Sequence, residues 1–138
     1  MIKAGDKAAL FEAHSTQGAI NMASMTGGWV VLYFYPKDNT PGCTTQAMDF
    51  TVAKQKFAKL NCTILGVSGD SMQKHDKFVE QKNLAIALIS DEDHNIAQSY
   101  GAWKLKKNFG KEYMGIVRTT YLIDPQGVVV YVWNSVKV

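Results

Sequence analysis

The pattern of apolar and polar positions divides the chain into strands and helices that follow one another in turn. An alternating stretch over residues 11–20 predicts an N-terminal β-hairpin that turns at Gln17 and Gly18. Residues 29–35 are apolar at every position, which is typical of a central strand covered on both faces. Pro36 follows this run and ends the predicted strand.

After Pro41 the apolar positions recur at the spacing of a helix. One stripe of this predicted helix contains Cys43, Ala47, Phe50, Ala53, Phe57 and Leu60. Residues spaced in this way share one face of a helix, so we expect that face to pack on the sheet. Cys43 then lies in the first turn, on the buried side.

The remaining segments continue the alternation. Strands are predicted over residues 62–68, 84–89, 119–123 and 128–133, and helices follow caps at 70–71 and 91–93 and end near Lys82 and Tyr100. The lysine-rich segment before Thr119 is expected to be a loop, and 119–123 a parallel or edge strand. Strands that alternate with helices indicate an α/β fold with a mixed central β-sheet flanked by helices. We therefore expect residues 1–138 to form a single domain of thioredoxin-like architecture.

Composition and charge narrow the classes of function. The chain is 46% hydrophobic and 20% charged, which is typical of a soluble protein. It has no apolar run near the roughly 20 residues of a membrane span, and no apolar segment at its start, so we expect a cytoplasmic protein without a membrane partner. The net charge of +3 comes from scattered lysines. The densest group, Lys104, Lys106, Lys107 and Lys111, could bind an anion weakly, but we interpret it as solvated and expect no nucleic-acid partner.

Cys43 is the first candidate for chemistry. It follows a loop stiffened by Pro36 and Pro41, and it opens the predicted helix. The free N–H groups and the positive dipole end of a helix N-terminus favour an ionised thiol, which is a nucleophile. Thr40 lies three residues earlier, so its hydroxyl can reach the sulfur or an oxygen bound to it. Gly42 allows the backbone to approach such a group closely.

Arg118 is the candidate for a cation beside this thiol. It is the only arginine among 15 Lys and Arg residues, and it directly precedes a predicted strand. A planar guanidinium can hold two oxygens at once, which a lysine cannot do. From composition alone, however, a single arginine in a lysine-rich chain also arises by chance.

The spacing of Pro36, Thr40 and Cys43, together with the later Arg118, resembles that of the peroxiredoxins. Within that family the chain is most similar to the bacterioferritin comigratory protein group, also called the Q type. The likeness runs over nearly the whole chain and includes residues 34–35, 65–71 and 90–91.

The resemblance implies a thiol-dependent peroxidase that needs no metal, flavin or haem. Cys43 would be the peroxidatic thiolate, which attacks the O–O bond of hydrogen peroxide or an alkyl hydroperoxide and becomes a sulfenic acid. Thr40, Arg118 and the Cys43 N–H would hold both peroxide oxygens. Pro36 would shield the thiolate from water.

The sequence also departs from the group. Tyr35 and Gln46 are expected at the substrate site, and Gln46 stands where the group usually has a glutamate that would orient the arginine. Met48 occupies the usual position of a resolving cysteine, and residues 71–83 contain no cysteine. Cys62 begins the next strand, so we expect it at the opposite end of the sheet, as a small apolar residue.

These departures predict a one-cysteine peroxidase whose sulfenic acid is reduced by an external thiol. The reductant would be thioredoxin, glutaredoxin with glutathione, or another small thiol, and the protein would be a monomer like most of the group. The alternative is a thiol redox sensor, or a client-binding module, on the same fold.

Other polar residues are assigned no chemistry. His14, His75 and His94 lack the spacing of metal ligands, so we expect no metal and interpret them as solvated or capping residues. Asp38 and Asp49 flank the cysteine loop and are expected at the surface.

Overall fold

A computed structural model describes residues 2–137, which form one seven-stranded sheet, helices on both of its faces and a separate two-stranded hairpin. The elements are β1 (Glu12–Ser15), β2 (Gly18–Asn21), a 3₁₀ turn (Met22–Met25), β3 (Trp29–Phe34), α1 (Pro41–Lys59), β4 (Cys62–Ser68), α2 (Met72–Lys82), β5 (Ala87–Ser90), α3 (Asn95–Tyr100), β6 (Trp103–Asn108), β7 (Lys111–Ile116), β8 (Thr119–Ile123) and β9 (Val129–Trp133). The predicted fold class is confirmed, including the N-terminal hairpin, in which Ser15 lies opposite Gly18.

The sheet has the strand order β2-β1-β5-β4-β3-β8-β9. Strands β3, β4 and β5 are parallel to one another, and Trp29 of β3 lies opposite Cys62 of β4. The expectation of a parallel or edge strand over 119–123 is wrong, because β8 runs antiparallel to β3 and lies between β3 and β9. β8 begins opposite Phe34, at the carboxyl end of β3, because α3 and the β6–β7 hairpin do not return the chain to the other edge of the sheet.

Both faces of the central strand are covered, as its continuous apolar run predicts. Val31 and Tyr33 face the cluster under α1 and α2, which also contains Cys43 and Phe78. The alternate residues of β3 face the second cluster, which contains Tyr100 of α3. Cys43 is therefore packed against the sheet, at the end from which β3 leaves it.

Three predicted boundaries or faces differ from the structure. Leu60 is 69% exposed because α1 ends at Lys59, so the last position of the apolar stripe is wrong. The strand predicted from Leu84 begins only at Ala87, because Leu84 follows the C-cap of α2 and donates its backbone N–H to Val79 O. The lysine-rich segment is not a loop, because β6 and β7 pair in register from Trp103 opposite Ile116 onward.

No helix within residues 2–137 is long and apolar enough to cross a membrane.

Candidate active site

Cys43 lies in the first turn of α1, beyond the carboxyl end of β3. Thr40 is the N-cap residue and Pro41 begins the helix. The first backbone bond of the helix runs from the N–H of Thr44 to Thr40 O at 2.8 Å. The N–H groups of Gly42 and Cys43 precede that bond and have no intrahelical carbonyl to which they could donate. Cys43, which is only 2% exposed, therefore lies in the turn whose backbone N–H groups have no intrahelical partner.

Arg118 contacts Cys43 and Gln46 simultaneously. Its Nη2 donates to Cys43 Sγ at 3.1 Å, and its Nη1 donates to Gln46 Oε1 at 2.5 Å. A hydrogen bond from a cation favours the thiolate form of the cysteine. The Gln46 oxygen orients the guanidinium but carries no charge, so the positive charge of Arg118 is not neutralised there. The structure thus brings together three predicted site residues.

Thr40 and Pro36 lie in the loop that leads from β3 to Cys43. The Thr40 hydroxyl donates to Lys37 O at 2.9 Å. Its hydrogen is therefore occupied, and its lone pairs remain available to accept a hydrogen bond from a substrate. Pro36 is exposed directly after Tyr35. The shielding role of Pro36 and the peroxide contact of Thr40 stay predictions.

The hydroxyl of Tyr35 is hydrogen-bonded within the protein. The hydroxyl donates to Asp38 Oδ1 at 2.6 Å. Burial, followed by the neighbouring Tyr33 and Asp38, raises the pKa of Tyr35 well above its ordinary value, so the phenol is neutral. A substrate contact of Tyr35 stays a prediction.

One residue expected at the surface, Asp38, and one interpreted as solvated or capping, His75, are instead buried beside the cysteine loop. Asp38 is buried, and His75 is 0% exposed. His75 Nδ1 lies 2.6 Å from Asp38 Oδ2. The sequence did carry a signal for His75, because it lies three residues before Phe78, on the inward stripe of α2.

Asp70 completes this polar group. Its Oδ2 accepts hydrogen bonds from the backbone N–H of Asp38 at 2.9 Å and from the hydroxyl of Ser68 at 2.7 Å. Asp38, Asp70 and His75 each offer an atom within 4.8 Å of the others, a spacing that a metal ion could also use. The atoms are already bonded to one another and to neighbouring donors, so the group is satisfied as a hydrogen-bonded cluster.

The second cysteine is far from the first. Cys62 lies opposite Trp29, at the start of β3, and Cys43 lies beyond Phe34, at its end. Five strand steps between Trp29 and Phe34 correspond to about 16 Å, well beyond the reach of a disulfide. Burial raises the pKa of the Cys62 thiol. Met48, at the position of the usual resolving cysteine, is 46% exposed on α1.

Comparison with known proteins agrees with this geometry. Residues 4–132 match the AhpC/TSA family. The chain is 49% identical over 138 residues to "Peroxiredoxin Bcp" of Bacillus subtilis (strain 168), which covers 99% of this chain and 88% of that protein.

Two solved structures are also similar. One is the Xanthomonas campestris bacterioferritin comigratory protein, described in connection with its alkyl peroxide reduction activity, at a TM-score of 0.88 and 40% identity over 93% of this chain and 82% of that one. The other is a yeast mitochondrial 1-Cys peroxiredoxin, described as resolved via glutathione/thioredoxin systems. Its TM-score is 0.84 at 25% identity, over 99% of this chain and 70% of that one.

Proposed function

Because the chain belongs to the AhpC/TSA family, and within it to the Bcp or Q-type peroxiredoxins, it is a thiol-dependent peroxidase, and we propose that Cys43 is the one cysteine that reacts during turnover. The observation that carries this proposal is the 3.1 Å contact between Arg118 Nη2 and Cys43 Sγ. It places a permanent cation where negative charge must be held before the reaction and moved during it.

In the proposed reaction the Cys43 thiolate attacks the terminal oxygen of the peroxide. An S–O bond forms, the O–O bond breaks, and the departing hydroxide or alkoxide takes up a proton to become water or alcohol. Sulfur is oxidised to the sulfenic acid. Arg118 and the N–H groups at the start of α1 stabilise the charge as it moves from sulfur to the departing oxygen. Thr40 accepts a hydrogen bond from the O–H of the peroxide, and Gln46 keeps the guanidinium in place.

The substrates are hydrogen peroxide and alkyl hydroperoxides. The alkyl substrates are supported by the alkyl peroxide reduction activity of the Xanthomonas campestris protein. Pro36, an exposed residue of the loop before Cys43, is assigned the role of limiting the access of water to the thiolate.

The sulfenic acid is reduced by a thiol from another molecule. One external thiol forms a mixed disulfide with Cys43 and releases water, and a second thiol then releases the Cys43 thiol and leaves as a disulfide. The distance to Cys62 and the presence of Met48 support this route, as does the glutathione/thioredoxin resolution of the yeast 1-Cys protein. Thioredoxin, glutaredoxin with glutathione, and small thiols are the candidate reductants. We further propose a cytoplasmic monomer, and the two free thiols are consistent with a reducing compartment.

Steady-state consumption of hydrogen peroxide and of an alkyl hydroperoxide tests this proposal. Each peroxide is supplied with thioredoxin, with glutaredoxin plus glutathione, or with dithiothreitol. We expect Cys43→Ser to abolish turnover and Cys62→Ser to retain it. Loss of turnover in Cys62→Ser, or a 43–62 linkage in non-reducing mass spectrometry after one equivalent of peroxide, would contradict the one-cysteine route. Consumption that stops after one equivalent with every reductant would favour a redox sensor.

A further inference from the structure

The hydrogen bonds of the buried network beside the cysteine loop determine how many protons its histidine and aspartate carry. We call Tyr35, Asp38, Asp70 and His75 the loop network. His75 Nε2 lies 2.9 Å from Ile89 O, and a carbonyl oxygen can only accept, so Nε2 carries a proton. The 2.6 Å contact between His75 Nδ1 and Asp38 Oδ2 needs a second proton. A neutral imidazole carries only one, so the pair together holds two protons.

The second proton belongs on His75. The Asp38 carboxylate accepts from the Tyr35 hydroxyl at 2.6 Å as well as from the histidine, and two donors stabilise its ionised form. Asp70 is occupied by uncharged donors, the Asp38 N–H and the Ser68 hydroxyl. The network therefore contains an imidazolium facing a carboxylate, both out of contact with water.

A buried ion pair is weak evidence for stability, because the loss of hydration offsets the attraction between the charges. Its position suggests a different role. His75 stands on α2, whereas Asp38 stands in the loop that leads from β3 to Cys43. The pair thus fastens the cysteine loop to a separate helix, and the hydrogen bond from the Asp38 N–H to Asp70 adds a second attachment.

This attachment reaches the substrate side of the loop within two residues. Lys37 directly precedes Asp38, and its carbonyl accepts the hydroxyl of Thr40. Asn39, between Asp38 and Thr40, has a φ of +62°, a left-handed conformation that asparagine tolerates better than most residues. Holding Asp38 therefore fixes the carbonyl that orients Thr40, and Thr40 in turn is the N-cap residue of the helix that carries Cys43.

We propose that His75 is a positioning residue of the peroxidase reaction: its imidazolium holds Asp38, and through it the 36–40 loop, in the arrangement that presents Thr40 and the start of α1 to the peroxide. This inference rests on the proposed roles of Cys43 and Thr40. It assigns the ion pair to the oxidation of Cys43, and not to the reduction that completes the catalytic cycle. Oxidation of Cys43 needs the ordered loop, whereas an external thiol must reach a sulfur that is 2% exposed and gains nothing from a closed loop.

The test measures the two half-reactions separately in His75→Gln, in Asp38→Asn and in the double variant. We expect the rate constant for oxidation of Cys43 by hydrogen peroxide to fall about ten- to a hundred-fold in each single variant, because a small misplacement of reacting groups has effects of this size. The rate constant for reduction of the oxidised protein by dithiothreitol should not fall. The double variant should be no slower than the slower single variant, since the two residues act as one unit.

Phe78→Leu is the matched control for stability. Phe78 is fully buried on the same helix but belongs to the apolar cluster. We expect it to lower the melting temperature without changing the ratio of the two half-reactions. Nitrogen-15 NMR adds a direct readout, because His75 should show two ring N–H groups at neutral pH, and one of them should be lost in Asp38→Asn.

Three results would overturn the inference: equal slowing of both half-reactions, additive effects in the double variant, or a single ring N–H on His75. Failure of the proposed function itself has a different signature. In that case Cys43→Ser would keep its activity, whatever the behaviour of the His75 variants.

Discussion

Arg118 shows how much of the site depends on the geometry of one side chain. Its two terminal nitrogens contact different residues, the sulfur of Cys43 and the amide oxygen of Gln46. As the only arginine of the sequence it was a candidate for a functional role, and the resemblance to the peroxiredoxins indicated Cys43 as its partner. The exchange of glutamate for glutamine was also visible in the sequence, whereas the loop network was not.

We expect Arg118→Lys to slow the oxidation of Cys43 by hydrogen peroxide about a hundred-fold or more. An ammonium group is a point charge and cannot reproduce two contacts that diverge from a planar fork. Competition with a second peroxide-consuming protein measures the rate constant. Lys111→Arg, on the exposed hairpin, is the matched control and should react like the unsubstituted protein. An unchanged rate in Arg118→Lys would show that charge alone suffices.

Cys62 provides a prediction on pH. Burial raises the pKa of its thiol, so its thiolate fraction at neutral pH is below that of a free cysteine. In Cys43→Ser, where Cys62 is the remaining cysteine, the midpoint of the alkylation rate against pH should lie above that of a cysteine-containing peptide. A midpoint at or below the peptide value would show that burial does not raise the pKa of the Cys62 thiol.

At the scale of the element, apolar periodicity identified the buried strands of the sheet and missed the exposed hairpin. The central strands were found because they are covered on both faces. The β6–β7 hairpin was missed because its lysines were interpreted as a solvated loop, and its apolar residues Leu105 and Met114 are exposed and do not belong to the core. Periodicity placed His75 on the inward stripe of α2, but it does not reveal Asp38, the hydrogen-bond partner of the buried histidine, so His75 was assigned to the wrong environment.

Strand β4 contains a position that only glycine fits. A Cβ on Gly66 would lie 2.8 Å from the ring of Tyr33 and 2.9 Å from Leu88 Cδ2, both fully buried. We expect Gly66→Ala to reduce the free energy of unfolding by about 1–3 kcal/mol, because neither neighbour has space to move. Chemical denaturation measures this loss.

Gly115→Ala is the matched control in β7. A Cβ there would lie 2.9 Å from the Cδ of Lys106, part of a flexible side chain that can move aside. Its cost should be clearly smaller. Equal losses at the two positions would mean that backbone effects, and not the contact with Tyr33, set the cost at Gly66.

Helix α3 provides a second test with pH. The Asp91 carboxylate accepts hydrogen bonds from the N–H groups of Ile96 and Ala97, but burial outweighs them and raises the pKa of Asp91 above 3.8. A raised pKa in the folded state contributes stability that is fully present below 3.8 and is lost as pH rises through the folded value. The stability lost in Asp91→Asn, measured by urea unfolding, should therefore be larger at pH 3.5 than at pH 7. A loss that grew with pH would contradict this sign.

At the scale of the whole molecule, the parallel core determines where the two thiols lie. A strand, a helix and a parallel strand must return the chain to the edge from which it began, so Cys43 and Cys62 are at opposite ends of the sheet. This separation was predictable from element order alone. The contact between Cys43 and Arg118, 75 residues apart, was not, because it depends on the antiparallel insertion of β8 beside β3.

Oxidation should change the dynamics of one region of the molecule. Because Cys43 is 2% exposed, the sulfenic form must open before a protein thiol can reach it. We expect hydrogen exchange of backbone amides to increase over residues 36–46 after one equivalent of peroxide, with β3 and β4 unchanged. Identical exchange in both forms would contradict this expectation.

The burial of the sulfur also limits how fast the enzyme can work. Hydrogen peroxide is small enough to enter a closed site, but a protein reductant can reach the sulfur only after the region around Cys43 has opened. Each turnover therefore includes a unimolecular opening step that no excess of reductant can accelerate. The turnover rate should then level off at a ceiling set by the protein's own motion, and that ceiling should have the same value for every large reductant.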